Sequence, residues 1–97
     1  MSHTDSAAET ERVWMVERTF SADSPHILVI VYATSDGERS LQKERAYNRF
    51  SGTAPDVTAA IEAAADDLRP VDDEATRERY RTEADRMRER HDPDDAV

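Results

Sequence analysis

Two segments near the N-terminus combine apolar and β-branched residues in the pattern of β-strands. Residues 12–20 read RVWMVERTF, and residues 26–34 read HILVIVYAT. Runs rich in Val, Ile and aromatic residues and bounded by polar residues favour strands. The second run is apolar over most of its length, so we expect it to lie at the centre of a sheet, covered on both faces.

A third strand is predicted directly after a turn signal. Ser35-Asp36-Gly37 is an Asp-Gly turn typical of a tight hairpin, with Gly37 free to adopt positive φ. Residues 39–47 then carry polar and charged side chains on both faces, which suits an edge strand protected from further pairing. A helix is the alternative over residues 41–46, which include several good helix formers.

Residues 54–69 have the spacing of an amphipathic helix. Thr53 is the expected N-cap, Pro55 lies in the first turn, and Pro70 ends the helix. We expect the apolar face to pack on the sheet. That face consists of residues spaced i, i+3, i+4, i+7, i+8 and i+11, namely Val57, Ala60, Ile61, Ala64, Ala65 and Leu68.

A second helix, long and charged, is predicted from Asp73 to His91, with Asp72 as its N-cap. Its narrow apolar stripe is flanked by arginines, as expected where helices meet and Arg stems cover the joint. We predict that this stripe forms the interface of a homodimer; packing on the chain's own sheet or preceding helix is the alternative, and the edge of strand 3 is a second route to a dimer. The predicted interface residues are Tyr80, Ala84, Met87, Arg77, Arg81 and Arg88.

Together these elements predict an α+β fold in the order βββαα, a three-stranded antiparallel meander followed by two helices. We expect one domain over residues 11–91, with disordered tails at 1–10 and 92–97. Val13 and Met15 lie on the opposite face of strand 1 from the core, under the last helix or in an interface. The expected core comprises Trp14, Val16, Phe20, Ile27, Val29, Val31, Val57, Ile61, Ala64 and Leu68.

The charge balance adds an expectation about habitat. The 97 residues include 22 Asp and Glu against 13 Lys and Arg, for a net charge of -9, and only Lys43 among the basic residues is not Arg. This composition resembles that of cytoplasmic proteins of salt-in halophilic archaea, which implies a surface that stays soluble in molar salt. At about 1 M salt the Debye length falls to about 3 Å, which screens the self-repulsion of such a chain.

Composition also excludes several classes of protein. The chain has no Cys, which excludes a disulfide scaffold, a thiol redox site and a Cys-ligated zinc site. The longest apolar run, Ile27 to Ala33, has seven residues, far fewer than the roughly 18 of a membrane span. The N-terminus lacks the basic start and apolar stretch of a secretory signal, so we expect a cytoplasmic protein.

No pattern predicts catalysis, a cofactor or a metal. His3 falls in a tail, His26 at a strand start and His91 at a helix end. The sequence places none of these imidazoles to act as the base for a nucleophilic hydroxyl. Gly37 and Gly52 are isolated, so no phosphate-binding loop is expected. A group of carboxylates between the two helices is better explained by helix capping and solvation than by cation binding. These are Asp66, Asp67, Asp72, Asp73 and Glu74.

The leading hypothesis is therefore a non-enzymatic, homodimeric protein-interaction or assembly module. The alternative is a nucleic-acid-associated accessory protein, because a basic strand with aromatic residues can hold single strands by charge and stacking. The net charge of -9 and the loss of phosphate affinity in salt oppose that alternative. Its candidate contacts are Arg39, Lys43, Arg45, Tyr47 and Arg49.

Overall fold

The computed structural model describes residues 9–23, 26–46 and 57–97. Within these residues lie a five-stranded antiparallel sheet, a short 3-10 turn at Ala65–Asp67 and one α-helix. The strand order across the sheet is β4-β1-β2-β3-β5. The elements are β1 Thr10–Phe20, β2 Ile27–Ala33, β3 Arg39–Ala46, β4 Ala60–Ala64, β5 Arg69–Pro70 and α1 Glu74–Arg90.

The predicted βββαα arrangement is wrong, because the Ala-rich segment predicted as the first helix forms strands instead. Residues 57–70 contain β4, the 3-10 turn and β5. The predicted cap residues Thr53 and Pro55 lie outside the described residues. The cause is the length of β1, whose first residues extend beyond the end of β2 and need another partner. Pairing of β4 with Thr10–Trp14 satisfies that backbone, and this gain outweighs the high helix propensity of the alanines, which tertiary pairing can override.

The three N-terminal strands and the final helix lie close to their predicted positions. β2 is the central strand, between β1 and β3. Gly37 has φ of 75°, and its N–H donates to the Thr34 carbonyl oxygen over 2.8 Å. A side chain at this position would collide with the helix, since a Cβ on Gly37 would lie 2.9 Å from the Arg81 nitrogen and closer still to the Arg77 carbonyl oxygen. Glycine therefore permits both the turn and the close approach of α1.

The sheet curls so that its two outer strands approach each other at one end. β4 and β5 are the two edges of the sheet, yet only residues 65–68 join them. A flat sheet would separate them by about 19 Å, four strand spacings, which is farther than a four-residue connection with a 3-10 turn can reach. Beyond the end of β2, the side chains of Arg39 on β3 and Glu11 on β1 make direct contact. This end of the sheet is therefore partly closed, and Leu68 packs into the closed end.

Two apolar clusters lie on opposite faces of the sheet. The first contains Val13, Met15, Leu28, Ile30, Tyr32, Val57, Ala63 and Leu68. The second contains Trp14, Ala59, Ala60 and, from the helix, Ala84. Because Ala84 is fully buried beside Trp14, the second cluster is the joint between helix and sheet.

Several residues of the expected core lie elsewhere. Phe20 is 53% exposed and Ala64 is exposed, whereas Val13 and Met15 are buried. A β-bulge between Met15 and Glu17 shifts the register of β1, so Phe20 does not share a face with Trp14. The regular alternation assumed from the sequence fails at that bulge.

Helix α1 starts one residue later than predicted, with Asp73 as its N-cap instead of Asp72. The Asp73 carboxylate accepts from the Thr76 N–H over 2.8 Å and from the Thr76 hydroxyl over 2.7 Å. These hydrogen bonds lower the pKa of Asp73, because they favour the charged carboxylate. The helix ends at Arg90, where His91 donates its N–H to the Met87 carbonyl oxygen.

The last residues, predicted as a disordered acidic tail, return to the sheet in the structure. Ala59 donates to the Asp95 carbonyl oxygen and Val97 donates to the Val57 carbonyl oxygen, each over 2.9 Å. The Val97 side chain packs against both apolar clusters. The Val97 side chain and these backbone hydrogen bonds thus hold the segment on the sheet, although its acidic residues favour exposure to solvent. At the other end of the chain, residues 1–8 of the predicted tail lie outside the described residues, and Thr10 already belongs to β1.

Within the described residues, no helix has the length and apolar character needed to cross a membrane.

Candidate interaction surfaces

The outward edge of β4 exposes backbone groups at two positions. Hydrogen bonds from Met15 N–H to Ala59 O and from Ala65 N–H to Glu9 O bracket the β1–β4 pair. In this antiparallel register the odd-numbered residues of β4 bond to β1, while Glu62 and Ala64 direct their N–H and C=O groups away from it. The C-terminal segment covers the same edge only as far as Ala60, whose N–H donates to the Pro93 carbonyl oxygen.

The side chains along this edge are small, apolar or already neutralised. Ile61 is half-buried and Ala63 is buried on one face, while Ala64 is exposed. The carboxylate of Glu62 pairs with the guanidinium of Arg12 over 2.9 Å. Along β4 itself a neighbouring strand would therefore meet alanines and a balanced ion pair, and Asp94 of the C-terminal segment adds one carboxylate to the wall of the adjoining cleft.

A shallow cleft of about 200 Å³ lies beside this edge, where an added strand would run. Its wall combines the Arg12–Glu62 pair with apolar atoms of β4 and the C-terminal segment. The lining residues are Arg12, Thr58, Ala60, Ile61, Glu62, Pro93 and Asp94.

The outward edge of β3 is longer and charged. Thr34 donates its N–H to the Arg39 carbonyl oxygen, a register in which the even-numbered residues of β3 direct their backbone groups away from β2. β5 takes up this edge only at its start, where Ser40 lies opposite Arg69. From Gln42 to Ala46 every residue is exposed. Pro70 itself has no N–H to offer beyond β5, which discourages a further strand there.

Cations from two strands meet on one face of the sheet beside this edge. Lys43 lies opposite Ile30 and Arg45 opposite Leu28, while Arg18 of β1 also lies opposite Ile30. Burial raises the pKa of the Tyr32 hydroxyl on this face, and the nearby guanidinium groups of Arg45 and Arg18 partly oppose the rise.

The predicted nucleic-acid residues are therefore only partly brought together. Lys43 and Arg45 share a face, but Arg39 is paired with Glu11. Tyr47 and Arg49 lie outside the described residues. Sequence reasoning missed Arg18, because only the register between β1 and β2 places it in the same row as Lys43. The Arg18 guanidinium is already engaged within the chain, because it donates to the Val97 carbonyl oxygen over 2.6 Å.

The apolar stripe predicted as a dimer interface packs within the chain. Ala84 is fully buried and Met87 packs on both apolar clusters. Tyr80 is half-buried, with the Arg79 guanidinium 5.3 Å from its ring centroid. The alternative considered for this stripe, packing on the chain's own sheet, describes its position in the structure.

The flanking arginines of the helix bond to groups of the same chain. Arg77 donates to the Val71 carbonyl oxygen over 2.7 Å. Arg81 pairs with Glu78 over 2.5 Å, and Arg88 pairs with Asp85 over 3.3 Å. Because each is compensated locally, these arginines do not form a free cationic surface.

The two described histidines lie far apart along the chain. His26 is exposed at the start of β2, and His91 lies 3.7 Å from the Asp95 carboxylate. No group of three metal-ligating side chains occurs within residues 9–23, 26–46 and 57–97, and this includes the carboxylates around the 3-10 turn and the start of the helix. His3 lies outside those ranges.

These features define the class of protein: a small, curled antiparallel sheet with one helix packed on it and two unequal strand edges. The chain belongs to DUF7967, a family of unknown function, whose profile matches residues 7–97. No curated protein and no solved structure shows significant similarity to the chain.

Proposed function

We propose that this chain is a non-enzymatic protein-interaction module that forms a homodimer through its β4 edges. The observation that carries the proposal is the pair of outward-facing backbone positions, Glu62 and Ala64, on a strand whose one charged side chain, Glu62, is paired with Arg12. The Lys-poor acidic composition supports a cytoplasm of high salt as the working environment.

A two-fold axis through Ala63 gives a register that suits both backbone and side chains. Hydrogen bonds across two antiparallel strands join residues that both direct their backbone groups outward. Glu62 then lies opposite Ala64 of the second copy, and the symmetry repeats this pair, for about four backbone hydrogen bonds. Since no Glu faces a Glu, the register sets no like charges directly opposite each other within β4.

Small side chains allow the second strand to approach closely. Ala63 would face its own copy across the axis, and Ile61 would lie opposite Ala65. The cleft walled by Arg12, Pro93 and Asp94 would become part of the joint. The contact is short compared with a standard interface of about 800 Å² per partner, so we expect a concentration-dependent dimer.

The test is a single proline substitution at the outward edge. Ala64 has φ of -63°, which proline adopts without strain, and its N–H does not bond to β1. Ala64→Pro should therefore fold normally but remain monomeric in light scattering over a concentration series in about 2 M KCl, whereas the unmodified chain should dimerise with rising concentration.

Gln42→Pro is the matched control, because it removes an outward N–H from the other edge of the sheet. It should dimerise like the unmodified chain. A monomer at all concentrations, or an Ala64→Pro variant that dimerises as strongly as the unmodified chain, would overturn the proposal.

A further inference from the structure

We infer that the β3 edge is a second binding surface, which takes an extended acidic segment of another protein as an added strand. This surface lies on the opposite side of the sheet from β4 and does not depend on the proposed dimer. The inference rests on the juxtaposition of open backbone positions at Gln42 and Glu44 with the cations Lys43 and Arg45.

The backbone supplies the first part of the recognition. β5 ends its pairing at Ser40, and the outward N–H and C=O groups of the next even-numbered residues follow at intervals of about 6.8 Å. An extended peptide presents donors and acceptors at the same interval, so it can continue the sheet along Gln42, Glu44 and Ala46.

The side chains supply the specificity. In an added strand, the residue opposite a given β3 residue lies on the same face. Acidic residues at alternate positions of the incoming strand would therefore meet Lys43 and Arg45, which form no ion pair among the described residues. On the other face Glu44 would oppose an acidic residue, so the intervening positions of the ligand should be neutral.

A second copy of this chain is a poor occupant of the same edge. Outward positions must pair with outward positions, so two-fold antiparallel registers centred on Lys43, Glu44 or Arg45 set Lys43 opposite Lys43, Lys43 opposite Arg45, or Arg45 opposite Arg45 of the other copy. Each of these places like charges directly opposite each other, which destabilises a strand pair. A register centred on Gln42 would need Ser40, which already lies opposite Arg69 of β5. The same charges that exclude self-pairing favour an acidic partner.

A nucleic-acid strand fits this edge less well than a peptide. The exposed carboxylate of Glu44 lies between the two cations along the strand, where it would repel a phosphodiester backbone. A nucleic acid would also leave the backbone N–H and C=O groups of the edge without partners, whereas a peptide satisfies both.

The inference can be tested with a labelled peptide of about eight residues in which Thr and Glu alternate, titrated into the full chain at low salt and followed by fluorescence anisotropy. The double variant Lys43→Glu/Arg45→Glu should weaken binding at least about tenfold and should gain affinity for the corresponding Thr/Lys peptide. Both side chains are exposed, so the fold should survive.

Two control ligands separate strand addition from simple charge attraction. A Thr/Glu peptide N-methylated at its Thr residues has the same charge but lacks the donors that would face Gln42 and Glu44 of β3, and it should not bind. Equal binding of the methylated and unmodified peptides would overturn the inference, and so would tighter binding of a dT oligonucleotide.

The two edges can be tested separately. Gln42→Pro should abolish peptide binding and leave the dimer intact, whereas Ala64→Pro should do the reverse. If peptide binding fails while the dimer persists, only the β3 inference falls. If the dimer fails while the peptide binds, only the proposed β4 function falls.

Discussion

The two open edges of the sheet offer the same backbone chemistry but differ in side chains. β4 presents alanines and a neutralised Glu62, whereas β3 presents Lys43, Glu44 and Arg45 in succession. Unpaired backbone N–H and C=O groups allow an edge to pair with another strand, and side-chain charge determines which strands bind there. If both proposals hold, one small sheet carries a self-pairing edge at β4 and a self-excluding edge at β3.

The strongest test of the β4 edge compares two alanine-to-arginine substitutions. Ala84 is fully buried beside Trp14, so Ala84→Arg should cost about 3 kcal/mol or more of unfolding free energy. Ala64 is exposed on β4, so Ala64→Arg should change stability by no more than about 0.5 kcal/mol. Urea unfolding monitored by Trp14 fluorescence measures both.

The Ala64→Arg variant should nevertheless lose the dimer, because two arginines would flank the shared axis. The predicted helix over 54–69 would instead have buried this residue against the sheet. A variant unfolded by Ala64→Arg would therefore restore the helical interpretation of this segment and remove the β4 edge from the comparison.

Raising the salt concentration should affect binding at the two edges in opposite ways. Raising KCl from about 0.1 M to about 1 M shortens the Debye length from about 10 Å to about 3 Å. Binding of the acidic peptide at Lys43 and Arg45 should weaken about tenfold, while the β4 dimer should hold or strengthen as repulsion between two chains of net charge -9 is screened. Anisotropy and light scattering over one salt series provide the comparison, and parallel losses at both edges would contradict it.

A smaller effect concerns the turn that sets the register of β3. The Asp36 carboxylate accepts from the Thr34 hydroxyl over 2.5 Å and from the Glu38 N–H over 2.9 Å, and these bonds lower the pKa of Asp36 below its ordinary 3.8. A lowered folded-state pKa stabilises the fold above the unfolded value, and this contribution disappears as pH falls through the folded value.

Asp36→Ala should therefore be less stable than the unmodified chain near neutral pH, and the difference should shrink as the pH is lowered to about 2. Urea midpoints across the acid range measure this, with Asp67→Ala on the exposed 3-10 turn as the control. A difference between Asp36→Ala and the unmodified chain that stays constant with pH would show that the carboxylate's charge is not responsible.

The sequence predicted those elements whose signals are local. The β-branched runs located β1 and β2, the Asp-Gly pair located the turn at Gly37, and the charged stretch after Asp73 located the helix. β4 was missed because its alanines carry a helical period, while the need that makes it a strand lies some 50 residues away, in the unpaired start of β1. The need of β1 for a distant pairing partner cannot be detected in a short window of sequence around β4.

The candidate surfaces were predictable only in part for the same reason. The charged character of strand 3 predicted an edge strand, whereas in the structure β5 pairs with its first two residues and only the remainder of that edge stays open. Lys43 and Arg45 lie on one face, as the alternation along the strand predicted. Their alignment with Arg18 depends on register across β2, and the bulge after Met15 alters that register in a way that alternation does not reveal. The helix stripe was recognised as a packing surface, but its occupant, Trp14 of the same chain, depends on the tertiary fold.

The long reach of β1 also governs how the chain folds. The first half of β1 pairs with β4, which lies about 50 residues later in the chain. The outer edge at the start of β4 is covered only when residues 93–97 return to it. Closing such distant contacts is slow compared with forming the hairpins of β1, β2 and β3. We therefore expect an early meander in which the apolar flank of β1 is still uncovered, so that the rate of β4 docking determines how long the newly made chain is vulnerable to aggregation.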